Sequence, residues 1–89
     1  MINRDTFKLS IIIPCYNEKK SIEEILRRVN QSLKNYKISK YEILIVDDFS
    51  NDGTIGILKN LENREKIQIH YHDTNLGKGA AIHTALKYI

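Results

Sequence analysis

Apolar residues along the chain follow two spacings in turn. Leu9-Ser10-Ile11-Ile12-Ile13 is a short β-branched run ended by Pro14, the pattern of a buried strand. From Ser21 to Leu33 the apolar positions Ile22, Ile25, Leu26, Val29 and Leu33 share one helical stripe, and Ser21 with Glu24 has capping-box spacing. Tyr41 to Val46 is a second buried strand, followed by turn formers from Asp47 to Gly53. Thr54 to Leu61 predicts a short helix weakened by the internal Gly56. Ile67, Ile69 and Tyr71 alternate with Gln68, His70 and His72, a third strand with one wetter face. A glycine-containing loop, Asn75 to Gly79, leads into a last helix with Ala81, Ile82, Ala85, Leu86 and Ile89 grouped on one side.

These spacings predict strands at 9–13, 41–46 and 67–72 and helices at 21–33, 54–61 and 79–89, within a single domain spanning 1–89. The β-α-β-α-β-α order implies parallel strands joined by right-handed crossovers, with helices covering both faces. The expected architecture is a three-layer α/β/α, Rossmann-like half-sheet of strand order 3-2-1.

Composition narrows the class. At 89 residues, 42% hydrophobic and 28% charged, the chain has the balance of an ordinary globular domain. A chain this short buries only roughly 60% of its unfolded surface, so its stability is marginal. The net charge of +3 comes from scattered basic residues, densest at Lys19-Lys20 and Arg27-Arg28, which is no nucleic-acid stripe. A single cysteine, Cys15, excludes an internal disulfide and a cysteine-based zinc cluster, and fits a reducing compartment. No apolar run approaches the ~18–20 residues of a membrane span. Met1 to Lys8 lacks the apolar core of a signal peptide. The expectation is a cytoplasmic protein, with any attachment to the cytoplasmic face of a membrane supplied by segments outside this chain.

The polar residues cluster at the strand exits. Pro14-Cys15-Tyr16-Asn17-Glu18 follows the first strand, Asp47 to Thr54 the second, and His72 to Gly79 the third. In an open parallel sheet, ligands bind outside the carboxyl ends of the strands, so all three clusters would meet along one edge. Each also has a plain structural reading. Pro14 can simply end a strand, Asp47-Asp48 can cap a turn, and Gly77-Lys78-Gly79 can open a helix.

The chemistry suits a nucleotide. Tyr16 offers an aromatic face to a base, and a carboxylate at Asp47 can accept from a ring N–H. Lys78 stands beside glycines at a helix start, where N–H groups favour oxygen-rich ligands. Neither the Walker GxxxxGK[ST] pattern nor GxGxxG is present. Asp47, Asp48 and Asp52 would repel a diphosphate by about 3 kcal/mol per pair of unit charges at ~5 Å and an effective dielectric of ~20. A divalent cation normally resolves such repulsion. His70 and His72 with Asp73 could mimic a metal set, but a solvated strand face explains them as well.

Together the three clusters resemble glycosyltransferase family two, whose catalytic domain has the GT-A fold. Ile11 to Glu18 matches its strand-P-x-Y-N-E signature, Val46 to Thr54 its V-D-D-x-S-x-D-G-T, and Asn75 to Ala81 its N-x-G-K-G-A-A. The third looks most like the dolichyl- and polyprenyl-phosphate sugar transferases. The resemblance implies that Pro14, Tyr16 and Glu18 line a nucleotide pocket, that Asp47 bonds the base with Val46 beside it, that Asp48 orients the loop, and that Lys78 lies near the nucleotide. It implies a nucleotide-diphosphate sugar as donor, a polyprenyl phosphate among the possible acceptors, and a divalent cation, Mg or Mn, held by a D-x-D.

In that family the D-x-D follows one strand after the third helix, and the catalytic base and acceptor residues come later still. They are expected beyond Ile89, so no residue here is named catalytic and the 89-residue piece is expected to be inactive. Phe49 replaces the family's common glycine and is expected to close off positive φ in that loop. An unpaired outer edge at Leu9–Ile13 would invite self-association. Two other readings remain: a non-catalytic nucleotide-binding module, and a phosphoacceptor receiver domain. The receiver places its acidic pair after the first strand, where this chain has Pro14 to Glu18.

Overall fold

A computed structural model describes residues 8–89. The expectation about the Met1–Lys8 start, and the first residues of the expected 1–89 domain, lie outside the described residues over 1–7. The element order is β1 (Leu9–Cys15), α1 (Ile22–Asn35), β2 (Tyr41–Asp47), α2 (Thr54–Lys59), β3 (Ile67–Tyr71) and α3 (Lys78–Leu86). The three strands form one parallel sheet ordered β1-β2-β3, the same arrangement as 3-2-1 read from the other side. Leu9 lies opposite Tyr41 and Cys15 opposite Asp47, and on the far side Asp47 lies opposite Tyr71. This register brings all three strand ends level, which is what lets the loops beyond them meet.

Successive side chains of β2 alternate between two cores. Ile43 and Ile45 pack with Ile13, Ile22, Leu26 and Leu58 beneath α1 and α2. Leu44 and Val46 pack with Ala81 and Ala85 of α3. Helices therefore cover both faces, giving three layers. The α/β class and the parallel order follow the sequence pattern.

Several local details differ from it. β1 runs through Pro14 to Cys15 rather than ending at Ile13. The amide of Leu9 donates to Lys40 O at one end, and Cys15 O accepts from the Asp48 amide at the other. Odd-numbered residues of β1 thus face β2, and the Pro14 ring nitrogen points to the outer edge, where no ladder bond is lost. The capping box does not form. Ser21 donates its hydroxyl back to Glu18 instead, and Glu24 engages Arg27 and Arg28 along the exposed side of α1. In α3 the small Ala81 and Ala85 meet the sheet, while Ile82, Leu86 and the following Ile89 are exposed. The i,i+4 alanine pair allows close approach to β2, and the bulky residues lie on the neighbouring stripe.

Candidate functional site

Three loops converge at the carboxyl edge of the sheet. The first two are tied together by side chains. Asn17 donates its amide to Ser50 Oγ at 2.9 Å, and its own Oδ1 accepts from the Asn51 amide at 2.8 Å. Asn17 has φ 52°, a left-handed conformation that asparagine tolerates well. Asp52 adds a second tie: Oδ2 accepts from the Lys19 amide at 3.2 Å, and Oδ1 from the Thr54 amide at 3.0 Å. The Thr54 hydroxyl also donates to it, and these bonds hold the Asp52 carboxyl below its ordinary range.

The third loop is tied to the second through Asp48. Its Oδ1 accepts from His72 Nδ1 and from the Leu76 amide, and its Oδ2 from the Gly77 amide, each at 2.8 Å. Burial opposes ionisation here, but the bonds from His72, Leu76 and Gly77 outweigh it and lower the Asp48 pKa. Gly77 has φ 99°, a region strained for any L side chain, and that geometry aims its amide at the carboxylate.

Between these loops lies a cavity of about 410 Å3. Pro14, Cys15, Tyr16 and Glu18 form one wall, and Asn75, Gly77, Lys78 and Ala81 the other, with Asp48 between them. Tyr16 is 46% exposed, so an aromatic face is available at the mouth. The Cys15 thiol is pushed up to about 12, first by burial and then by the carboxylates of Asp47, Glu18 and Asp52, so it stays protonated and is no nucleophile.

Of the residues singled out in the sequence, the structure brings Pro14, Tyr16, Glu18, Asp48 and Lys78 together on this cavity. Val46 and Asp47 are fully buried and do not line it. The expected base contact by Asp47 does not match its placement. Asp47 lies on the α1/α2 side of β2, where Oδ2 accepts from the Ser50 amide at 2.9 Å and Oδ1 from the Ser50 hydroxyl at 2.5 Å. Asp48, one residue on, has the opposite parity and reaches the cavity side. The expected loop-orienting role is thus divided between the pair.

Phe49 is a second correction. It adopts φ 66° despite its side chain, with the ring 51% exposed. The bond from the Ser50 amide back to Asp47 spans Phe49, and Asp48 before it is anchored to Gly77, so the backbone is held there. His72 is not on a solvated face, and His70 is half-buried. His70 stacks on Tyr88 at 3.7 Å between ring centroids, and His72 is bonded between Asp48 and Thr84. Sequence reasoning missed the His72–Thr84 bond, the Asn17 link and the cavity roles of Asn75 and Gly77, although both of the last stand in the third motif.

A divalent cation does not fit these residues. Among the described residues no three His, Cys, Asp or Glu side chains converge to hold a metal. The carboxylates of Asp47, Asp48 and Asp52 are already engaged by protein donors. No helix among the described residues is long and apolar enough to cross a membrane.

Residues 10–89 match the model of the family described as glycosyl transferase family 2. The chain belongs to glycosyl transferase family 2. The glycosyltransferase AglE of Haloferax volcanii is 36% identical over 80 residues, covering 89% of this chain and 26% of that protein. The undecaprenyl-phosphate 4-deoxy-4-formamido-L-arabinose transferase of Proteus mirabilis is 36% identical over 78 residues, 84% of this chain and 23% of that protein. Among solved structures, the mannosyltransferase PcManGT from Pyrobaculum calidifontis, in complex with GDP-Man and Mn2+, superposes with TM-score 0.78 at 29% identity, covering 94% of this chain and 25% of that one. The chain thus spans about a quarter of the length of these relatives. Its sheet is the corresponding part of their Rossmann-like GT-A fold.

Proposed function

We propose that this chain supplies the nucleotide-binding part of an enzyme that transfers a sugar from a nucleotide-diphosphate donor to an acceptor, with a polyprenyl phosphate as the acceptor class. The observation that carries this is one cavity at the carboxyl edge of a parallel sheet, uniting an aromatic face, a buried carboxylate and a lysine at a helix start. Tyr16 stacks on the base, walled by Pro14 and Glu18. Asp48, not Asp47, presents a carboxylate oxygen to a ring N–H: Oδ2 has a single bond, from Gly77, and retains acceptor capacity. Asp47 and Val46 support the loop from beneath. Lys78 and the first amides of α3 face the phosphates.

The likeness to an undecaprenyl-phosphate sugar transferase supports the lipid-linked acceptor. A cation, Mg or Mn, belongs to the whole enzyme, supported by the manganese in the Pyrobaculum complex. We place its D-x-D and the catalytic base outside these 89 residues, so the 89-residue piece binds without turning over. We place the whole enzyme in the cytoplasm, or at the cytoplasmic face of a membrane through other segments. A non-catalytic nucleotide-binding module would share the cavity and lack turnover in the whole protein.

Calorimetric titration with uridine and guanosine diphosphates, with and without Mn2+, tests the site. Tyr16→Ala is expected to weaken binding about tenfold, the lower end of what base–aromatic stacking contributes. Its melting temperature should hardly move, because the ring is half exposed. Absence of binding by the unaltered chain, or an unchanged affinity in Tyr16→Ala, would sink the proposal.

A further inference from the structure

A hydrogen-bonded chain runs from α3 to Asp48 at the cavity, by way of Thr84 and His72, which none of the three motifs contains. Thr84 Oγ1 lies 2.8 Å from His72 Nε2, and His72 Nδ1 lies 2.8 Å from Asp48 Oδ1. The His72 and Asp48 side chains are only 7% and 6% exposed. The ionised carboxylate of Asp48 can only accept, so Nδ1 of the imidazole carries the proton. In the neutral ring Nε2 then accepts from the Thr84 hydroxyl, and the ring orientation is fixed at both ends. Asp48 in turn holds the amides of Leu76 and Gly77, which set the height of the rim that carries Lys78. Asp48 follows β2, His72 follows β3 and Thr84 lies in α3, 24 and 12 positions apart in sequence, and the imidazole joins them.

We infer that His72 is a positioning residue for the nucleotide site: braced by Thr84, it fixes the Asp48 carboxylate between the cavity and the Leu76–Gly77 backbone. This rests on the nucleotide reading given above. His72 itself does not line the cavity, so it acts through Asp48 and touches no ligand. His72 directly follows β3, and its imidazole is buried against Thr84 of α3, where a polar partner is required. An apolar residue there would leave one Asp48 lone pair without its donor in a buried site.

Two variants of similar size separate positioning from mere packing. His72→Asn places an amide N–H near the Nδ1 position and can still donate to Asp48. His72→Gln reaches instead to the Nε2 position, keeping Thr84 as partner and leaving Asp48 without its side-chain donor. In the full natural chain, affinity for the nucleoside diphosphate that the unaltered protein binds is expected to fall about tenfold in His72→Gln and to stay within about threefold in His72→Asn. Amide exchange at Leu76 and Gly77 should quicken in His72→Gln alone. Equal affinities in the two variants, or a lowered melting temperature with affinity and exchange unchanged, overturn the assignment while leaving the nucleotide reading intact. No binding by the unaltered protein overturns both.

Discussion

Phe49 holds a left-handed backbone, φ 66°, directly after two buried aspartates, and its side chain is half exposed. The left-handed conformation costs a non-glycine residue roughly 1–2 kcal/mol. Glycine there would remove that strain but lose about 0.5–1 kcal/mol through the greater freedom of its unfolded state. The ring buries little, so Phe49→Gly should raise stability by up to about 1 kcal/mol, read from urea denaturation midpoints. A loss of stability would mean that the ring packs more than its exposure indicates. The two preceding aspartates show the same local logic. Each is buried, yet no buried side-chain nitrogen or oxygen among the described residues lacks a partner. Asp47 spends its oxygens on Ser50, and Asp48 spends its own on the third loop.

At the scale of elements, the apolar spacing was enough to read three strands, three helices and their order. It could not say which carboxylate faces the cavity. Ile43, Leu44, Ile45 and Val46 are all buried, so alternation is invisible in a strand covered on both sides, and Asp47 and Asp48 look equivalent. The same limit hid the orientation of α3, where alanines and larger residues share one apolar arc and only packing against Leu44 and Val46 selects the small ones. The His72–Asp48 bond spans 24 residues, beyond any local pattern.

That bond also carries a pH dependence for the third loop. The Asp48 pKa is lowered in the fold, so the stabilisation it gives is complete above the ordinary aspartate value of about 3.9. It is lost as pH falls through the lower folded value. The Leu76 and Gly77 amide resonances should therefore stay at their hydrogen-bonded positions down to about pH 4 and move only below it. Movement between pH 5 and 6 would show that Asp48 does not hold them.

At the scale of the whole molecule, the described residues make three layers, and two of the surfaces that they leave unfinished bear on association. One is the apolar stripe of Ile82, Leu86 and Ile89, and the other is the outer side of β1. Relatives are about four times as long, so their further chain has ample length to cover both. The isolated 89-residue piece should associate through the β1 edge, with its light-scattering mass rising with concentration on size exclusion. A constant monomer mass up to high concentration would contradict this.

Pro14 limits what such association can achieve. With odd residues turned inward, the outward backbone positions of β1 are Ser10, Ile12 and Pro14. Only the first two carry an N–H, so a strand arriving from outside finds two donors and then a ring. Its register is pinned at the amino end of β1, and it must diverge near the level of Tyr16. Whatever neighbour β1 accepts, its backbone is steered away just where Pro14 and Tyr16 line the cavity.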